Sequence, residues 1–334
     1  MSTVIGCTNK VLRFSEVIPI AVGLIVVMPG LAWPQSFPTK PIRLVSQFVP
    51  GSAGDTSLRI TTPAMSQSMG QPIIIDNRAG AGGLVAAQQV LTAPPDGYTL
   101  LASSSAFYIV RQFLVKDMPF DPPKHFTPVT LYQNAISFLV THPSFPPNSM
   151  QGLIEYARAN PGKVNFGTSG IGTEGHLSGD QLMELTGVKL VHVPYKASAL
   201  ALADTVSGQI ATSFSIYAAA LPFINSGKIK VLAVVQDTRS SRLPAVPTVA
   251  EIVPGFEAPA SWTGIFSPAG MSSALTRRIQ SEFAKAAKDP ATAIKLAQGG
   301  FDVLASPPEE FAESIKREVA LITRLVKVSG IKPE

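Results

Sequence analysis

Cysteine is almost missing from this chain: Cys7 is the only one in 334 residues. It lies in a segment read below as removable, so the mature chain keeps no thiol. That excludes disulfides, thiolate metal sites and a cysteine nucleophile. Histidine is scarce too, with four in the chain, and neither an H-E-x-x-H pattern nor paired cysteines supply metal-ligand spacing. Charged residues make up only 15% of the sequence, the net charge is +5, and no three basic residues are consecutive. The clustered cationic stripe of a nucleic-acid binder is therefore absent, although a slight positive bias still attracts anions at long range. Walker-type phosphate loops and a G-x-S-x-G nucleophile elbow are also missing.

What the chain does have is apolar mass: 46% of its residues are hydrophobic. At this length that suits two packed lobes better than one core. The 26 glycines and 29 prolines are spread along the sequence, which signals many turns rather than a low-complexity tract. Near the start, Lys10 and Arg13 precede an apolar run from Val17 to Met28, and Gly30-Leu31-Ala32 follows. This is the pattern of a secretory signal, residues 1–32, cleaved after Ala32. The run is shorter than the roughly 20 residues a membrane-spanning helix needs. Cys7 precedes it and is not placed as a lipoprotein acceptor. The expected location is the periplasm.

From Pro41 onward, β-rich runs alternate with helical patterns. Strands are expected at Ile42–Phe48, Ile73–Ile75, Tyr98–Ala102, Val164–Gly167, Leu190–Val193, Ile210–Phe214 and Ile229–Val235. Between them lie helices over Asp55–Met69 and Leu84–Thr92, one N-capped by Ser149 and running through Ala159, and one over His176–Thr186. A capping box, Ser306-Pro307-Pro308-Glu309, is expected to open a last helix ending near Val328. Pro63 should kink or shorten the first long helix. The alternation predicts an α/β protein with mostly parallel sheets covered by helices on both faces.

Two strand–turn–helix units share one character. Phe48-Val49-Pro50-Gly51-Ser52-Ala53-Gly54-Asp55 and Gly167-Thr168-Ser169-Gly170-Ile171-Gly172-Thr173-Glu174-Gly175-His176 each place glycines and small hydroxyl residues where a helix begins. Free backbone N–H groups and the positive end of the helix dipole then point at the occupant of the turn. Two such turns in separate halves of one chain suggest a cleft that grips an anion from both sides; plain structural turns are the alternative. Gly170–Gly175 matches G-x-G-x-x-G, but no carboxylate stands near Leu190–Pro194, so a dinucleotide site fails on context. No cofactor is expected. Asp55, in the first turn of its helix, reads first as a cap, and secondarily as a stiffener of the turn or a partner for an amino group. His176 either contacts a carboxylate or closes its turn. A hydrolase built on Ser169 and His176 is the rival reading, and a ligand-sensing component is another.

These features, with Phe37–Val45, Asp76–Gly83, Pro95–Leu101, His192–Lys196, Leu243–Glu251 and Ser267–Gly270, resemble the substrate-binding proteins of tripartite tricarboxylate transporters, the Bug or TctC family. The resemblance runs from Phe37 to Glu334. It implies a type II periplasmic-binding-protein fold, with one lobe formed by residues 36–139 and 260–334 and the other by residues 140–259. Hinge crossings are implied near Leu139–His142 and Gly255–Ser261. It further implies a non-enzymatic receptor that closes on a small organic carboxylate and docks to membrane transporter subunits; a monomer is the default expectation. Carried over position by position, it assigns ligand contacts to Phe48, Gly51, Ser52, Ala53, Gly54 and Asp55, and to Thr168, Ser169, Gly172, Thr173 and His176. Ser104, Tyr195, Phe214 and Ser215 add to that set. Ser52 stands where the family usually has a second glycine, and Ala197 also replaces a usual glycine. Ser215 often corresponds to an aspartate, whose loss favours a plain carboxylate over an amino acid.

Overall fold

A computed structural model describes residues 37–330, with Gly6 alone before them. The expected signal segment, residues 1–32, lies outside the described residues. The chain runs β1 (Ile42–Ser46), α1 (Ala53–Met69), β2 (Ile73–Asn77), α2 (Leu84–Leu91) and β3 (Thr99–Ser104). A π-helical turn (Ala106–Val110) continues into α3 (Arg111–Leu114), and α4 (Pro122–His125) leads to β4 (Phe126–Asn134). There follow β5 (Ser137–Thr141), α5 (Met150–Ala159), β6 (Val164–Thr168), α6 (Glu174–Thr186), β7 (Leu190–Pro194), α7 (Ser198–Val206), β8 (Thr212–Ile216), α8 (Tyr217–Asn225) and β9 (Lys230–Val234). The last elements are α9 (Val249–Ile252), β10 (Trp262–Pro268), α10 (Ser273–Lys288), α11 (Pro290–Gln298), β11 (Asp302–Val303) and α12 (Pro308–Ser329). Among the described residues no helix is long and apolar enough to cross a membrane.

Two sheets organise these elements, in the orders β11-β4-β10-β3-β1-β2 and β7-β6-β8-β5-β9. The second repeats the core of the first. In each, the lobe's opening parallel strand (β1 or β6) sits between its two successors, and a strand from across the hinge runs antiparallel beside the third. Successive connections leave β1, and likewise β6, toward opposite sides. That reversal opens a crevice at the carboxyl end of the strand, the place where open α/β sheets receive ligands.

The chain changes sheet at Ala135–Ile136, a few residues before the expected crossing, because Ser137–Thr141 already pairs with β8 and β9. It returns through residues 253–261. The two passages touch, with Ala135 N–H donating to Ser261 O at 2.7 Å. Apolar packing also joins the lobes there: Leu177 of α6 shares one buried cluster with Trp262, Phe311, Ile322 and Leu325.

Three expectations fail for physical reasons. The sheets are not mostly parallel: five of their nine strand pairings are antiparallel, because β10 and β5 enter their sheets from the other lobe and against the strands of the β/α units. Pro63 does not shorten α1, which runs unbroken to Met69. Its ring faces solvent, so the helix carries the lost backbone bond on its exposed side. Ser306 caps nothing, because the helix starts at Pro308 with Pro307 as its N-cap residue. The Ser306 hydroxyl instead accepts Leu131 N–H at 3.3 Å, and Glu309 pairs with Arg277.

Tyr132 of β4 fastens α1 to the first sheet. Its fully buried hydroxyl donates to Ser57 O at 2.8 Å and lies 2.7 Å from Thr61 Oγ1. Tyr132→Phe leaves those partners short of a bond and should lower stability by about 1–2 kcal/mol, read from denaturant unfolding.

Candidate functional site

The first glycine-rich turn leaves the crevice end of β1. Gly51 has φ +79°, a left-handed conformation that glycine adopts without strain. At Gly54 a Cβ would stand 2.9 Å from the Phe48 ring, so only glycine lets the helix start lie flat on that side chain. Phe48 is thus engaged from below by the turn itself. Asp55, 1% exposed, accepts Gly51 N–H at 2.9 Å, Arg59 Nε at 2.8 Å and Asn77 Nδ2 at 2.7 Å. Burial pushes this carboxyl up, but the bonds from Arg59, Gly51 and Asn77 outweigh it and hold it below the usual range. The stiffening role is the one its geometry displays. Asn77 also donates to Phe48 O at 3.0 Å, which ties the end of β2 to the turn.

At the second turn, buried Thr168 ends β6. Its Oγ1 accepts Gly170 N–H at 3.2 Å and stands 2.7 Å from His192 Nε2. Gly172, at φ +73°, meets the opposite lobe: a Cβ there would stand 2.6 Å from Leu114 Cδ1 and 3.0 Å from Val110 Cγ1. His176 Nδ1 accepts Gly172 N–H at 3.1 Å, and its Nε2 lies 3.3 Å from Asp180 Oδ2. An Nδ1 acceptor places the neutral-ring proton on Nε2, facing Asp180. The His176 and His192 rings stack at 4.1 Å, with Phe166 beneath His192 at 5.0 Å. Burial lowers the His176 pKa. His192 falls to about 4, through burial first and its histidine neighbour second, while burial raises Asp180 to about 6. The stack is therefore neutral at neutral pH.

Of the remaining expected residues, Ser104 accepts Gln47 Nε2 at 2.7 Å at the end of β3. The Tyr195 hydroxyl donates to Asp204 at 2.6 Å. Phe214 packs behind Gly175, where a Cβ would lie 2.7 Å from its own. Ser215 is buried beside Ser213, with the two hydroxyl oxygens 3.3 Å apart. Ser169 is exposed, and both His176 ring nitrogens are engaged elsewhere, so no Ser169–His176 pair is assembled. Both turns reach one segment of the first lobe, residues 103–114. The first does so through Gln47, bonded to Ser103 and Ser104, and the second through Gly172 on Val110 and Leu114. Two hinge-side hollows, of about 570 and 230 Å³, are lined by other residues.

Sequence reasoning passed over Gln47, Asn77, Asp180 and His192. Only His192 had a readable signal, as a lone histidine in an apolar strand whose ladder pairs it with Phe166.

The sequence and fold match known proteins. Residues 58–331 fit the model of the tripartite tricarboxylate transporter family receptor, TctC. The chain belongs to that family. Three solved structures are similar over 100% of their own lengths. A Rhodopseudomonas palustris protein solved with adipate is 31% identical over 89% of this chain, with a TM-score of 0.81. The periplasmic binding protein BugD is 29% identical over 89% of this chain, with a TM-score of 0.77. MatC of Rhodopseudomonas palustris, solved with malate, is 28% identical over 87% of this chain, with a TM-score of 0.76. Family and fold are those of the periplasmic solute receptors.

Glu174, in the first turn of α6, is the site's perturbed acid. Burial pushes its carboxyl up to about 8, against the Ser137 hydroxyl that donates to it at 3.0 Å, and Glu318 nearby pushes the same way. Glu318 itself, which accepts Ala260 N–H at 2.8 Å, is raised to about 7 by burial. The folded state thus holds protons that the unfolded chain releases above the ordinary carboxylate range, so stability falls as pH climbs toward 8. The buried histidines act oppositely, but only below their unfolded value near 6.5. We expect the melting temperature to drop from pH 6.5 to 8.5, and Glu174→Gln to flatten that slope. A wild-type melting temperature rising over the window would contradict this account.

Proposed function

We propose that the protein captures a small organic carboxylate between the two glycine-rich turns and delivers it, as a periplasmic receptor, to the membrane subunits of a tripartite tricarboxylate-type transporter. One observation carries the reading. Both turns end in a cap-capable residue, Ser52 and Thr173, and neither side chain caps its helix. The Ser52 hydroxyl is buried without a partner, and Thr173 Oγ1 donates backward to Gly170 O at 2.7 Å. The first-turn N–H groups of α1 and α6 therefore stay open toward the crevice ends of β1 and β6, and an anion is their natural acceptor.

The relatives solved with adipate and malate support a carboxylate as that anion. Phe48, Gly51, Ser52, Ala53, Gly54 and Asp55 form one wall of the proposed site. Thr168, Ser169, Gly172, Thr173 and His176 form the other, with Ser104, Tyr195, Phe214 and Ser215 around them. A hydrogen bond to a charged group contributes about 1.5–3 kcal/mol, so three or four donors on one carboxylate approach the ~8 kcal/mol of a micromolar complex. Closure follows because only the closed form lets both turns serve one anion. In this mechanism no bond of the ligand is made or broken, and the protein acts as a monomer.

Thr173→Pro tests the grip. Proline suits the φ of −77° at this cap position but removes the hydroxyl and the N–H that both bond Gly170 O, at 2.7 and 3.4 Å, and so perturbs the shape of the second turn. Thermal-shift titration with mono-, di- and tricarboxylates should show stabilisation of the wild type, and at least tenfold weaker binding by a variant that still melts cooperatively. Equal affinity in the variant would refute the two-turn grip.

A further inference from the structure

Among the described arginines, nearly all are spoken for. Arg43 and Arg78 pair with Asp76, Arg59 with Asp55, Arg239 with Glu251, Arg242 with Asp302, Arg277 with Glu309, Arg278 with Glu282 and Arg324 with Glu257. Arg158 donates to Thr186 O. Arg317 stands in solvent. Arg111 is different: it is half-buried, its Nε is fully buried without a hydrogen-bond partner, and no carboxylate pairs with it. Such a group costs stability unless something completes it, because desolvating a guanidinium without an acceptor is unfavourable.

Nε is closed off by the protein, so a ligand would meet the two Nη groups, which are not buried, and their position says what it would be. Arg111 opens α3, on the segment of the first lobe that meets the second turn. Val110, its neighbour, and Leu114, one turn on, flank Gly172. The guanidinium lies over the backbone of Gly82, where a Cβ would stand 3.0 Å from Nη1. This small-residue loop after β2 leaves the fork uncovered by side chains on that side. The adjoining Gln47, Ser103 and Ser104 satisfy one another and offer it no charge. An unpaired planar cation beside a crevice whose two helix starts are proposed to hold one anionic group is fitted to a second anionic group on the same molecule, held through a bidentate fork.

We infer that Arg111 recognises the distal carboxylate of a dianionic ligand, which makes this receptor selective for dicarboxylates over monocarboxylates of equal chain length. The inference rests on the carboxylate reading given above and narrows its substrate class. The turns hold the proximal carboxylate through backbone groups blind to the rest of the ligand, and Arg111 supplies the discrimination at the far end.

Calorimetric titration of the mature protein with adipate and hexanoate, and with succinate and butyrate, tests this. The wild type should bind at least one diacid about 10- to 100-fold more tightly than its monoacid match, the range of one charged hydrogen-bonding contact. Arg111→Gln should lose that preference while keeping the monoacid affinity, and Arg111→Lys should keep part of it. The ligand-free Arg111→Gln protein should melt no lower than wild type, since no protein partner is lost; a structural arginine would lower it. A diacid preference that survives in Arg111→Gln, or a wild type that binds only monoacids, overturns the assignment of Arg111 and leaves carboxylate capture standing. A wild type that binds none of these acids, nor citrate, sinks the carboxylate reading and this inference with it.

Discussion

The structure depends on two helix starts being left open. Four other helices close such ends with their own side chains: Ser149, Thr248, Ser272 and Asp289 each accept a first-turn N–H. Residues of the same type stand before α1 and α6, yet there the hydroxyls do not reach the helix. Their N–H groups are held in shape from behind instead. Asp55 and Asn77 brace the first turn, and Thr168, His176 and His192 brace the second. Preorganised donors cost little further ordering when an acceptor arrives, so more of their hydrogen-bond energy survives as affinity.

Sheet order then places these donors. Because β1 and β6 are each flanked on both sides by their successors, the chain must leave them at a reversal of direction, and the turn that follows cannot be covered by the next helix. The antiparallel strands β5 and β10 each begin directly after a crossing between the lobes, so the two sheets are tied by short passages bonded to each other at Ala135 and Ser261. Hinged lobes with one such turn apiece are what a clamp requires.

Much of this was legible in the residues. The β/α alternation, the two glycine-rich turns and the helix over 150–159 with its Ser149 cap stand where periodicity and turn chemistry put them. The sheet change was harder to place, because Phe126–Asn134 and Ser137–Thr141 are both apolar runs and only their partners distinguish them. Ser306 illustrates a second limit: a capping pattern competes with tertiary acceptors, and here Leu131 N–H of β4 took the hydroxyl. At the site, the residues named in advance, Asp55 and His176, stood beside their turns, while their distant partners stayed hidden for the same reason or, like His192, showed only weakly. Asn77 and His192 act through contacts with residues distant in sequence, whereas His176 and Asp180 are helix neighbours whose spacing suits a pair but does not announce one.

Two acids occupy the first turns of the two helices, and they solve one electrostatic problem differently. A negative charge at a helix start is favourable with the dipole, but it competes with any anion bound there. Asp55 keeps its charge and cancels it locally, with Arg59 and two further donors taking up its oxygens. Glu174 has no cation beside it. One carboxylate oxygen is buried without a partner, and burial raises its pKa to about 8, so at neutral pH it carries a proton instead of a charge. Each turn would therefore offer the proposed anion a helix dipole that no charged side chain opposes. The pairing of one neutralised and one protonated acid follows from where the available cations lie: Arg59 is one helical turn from Asp55, while Ser178 holds the matching place after Glu174.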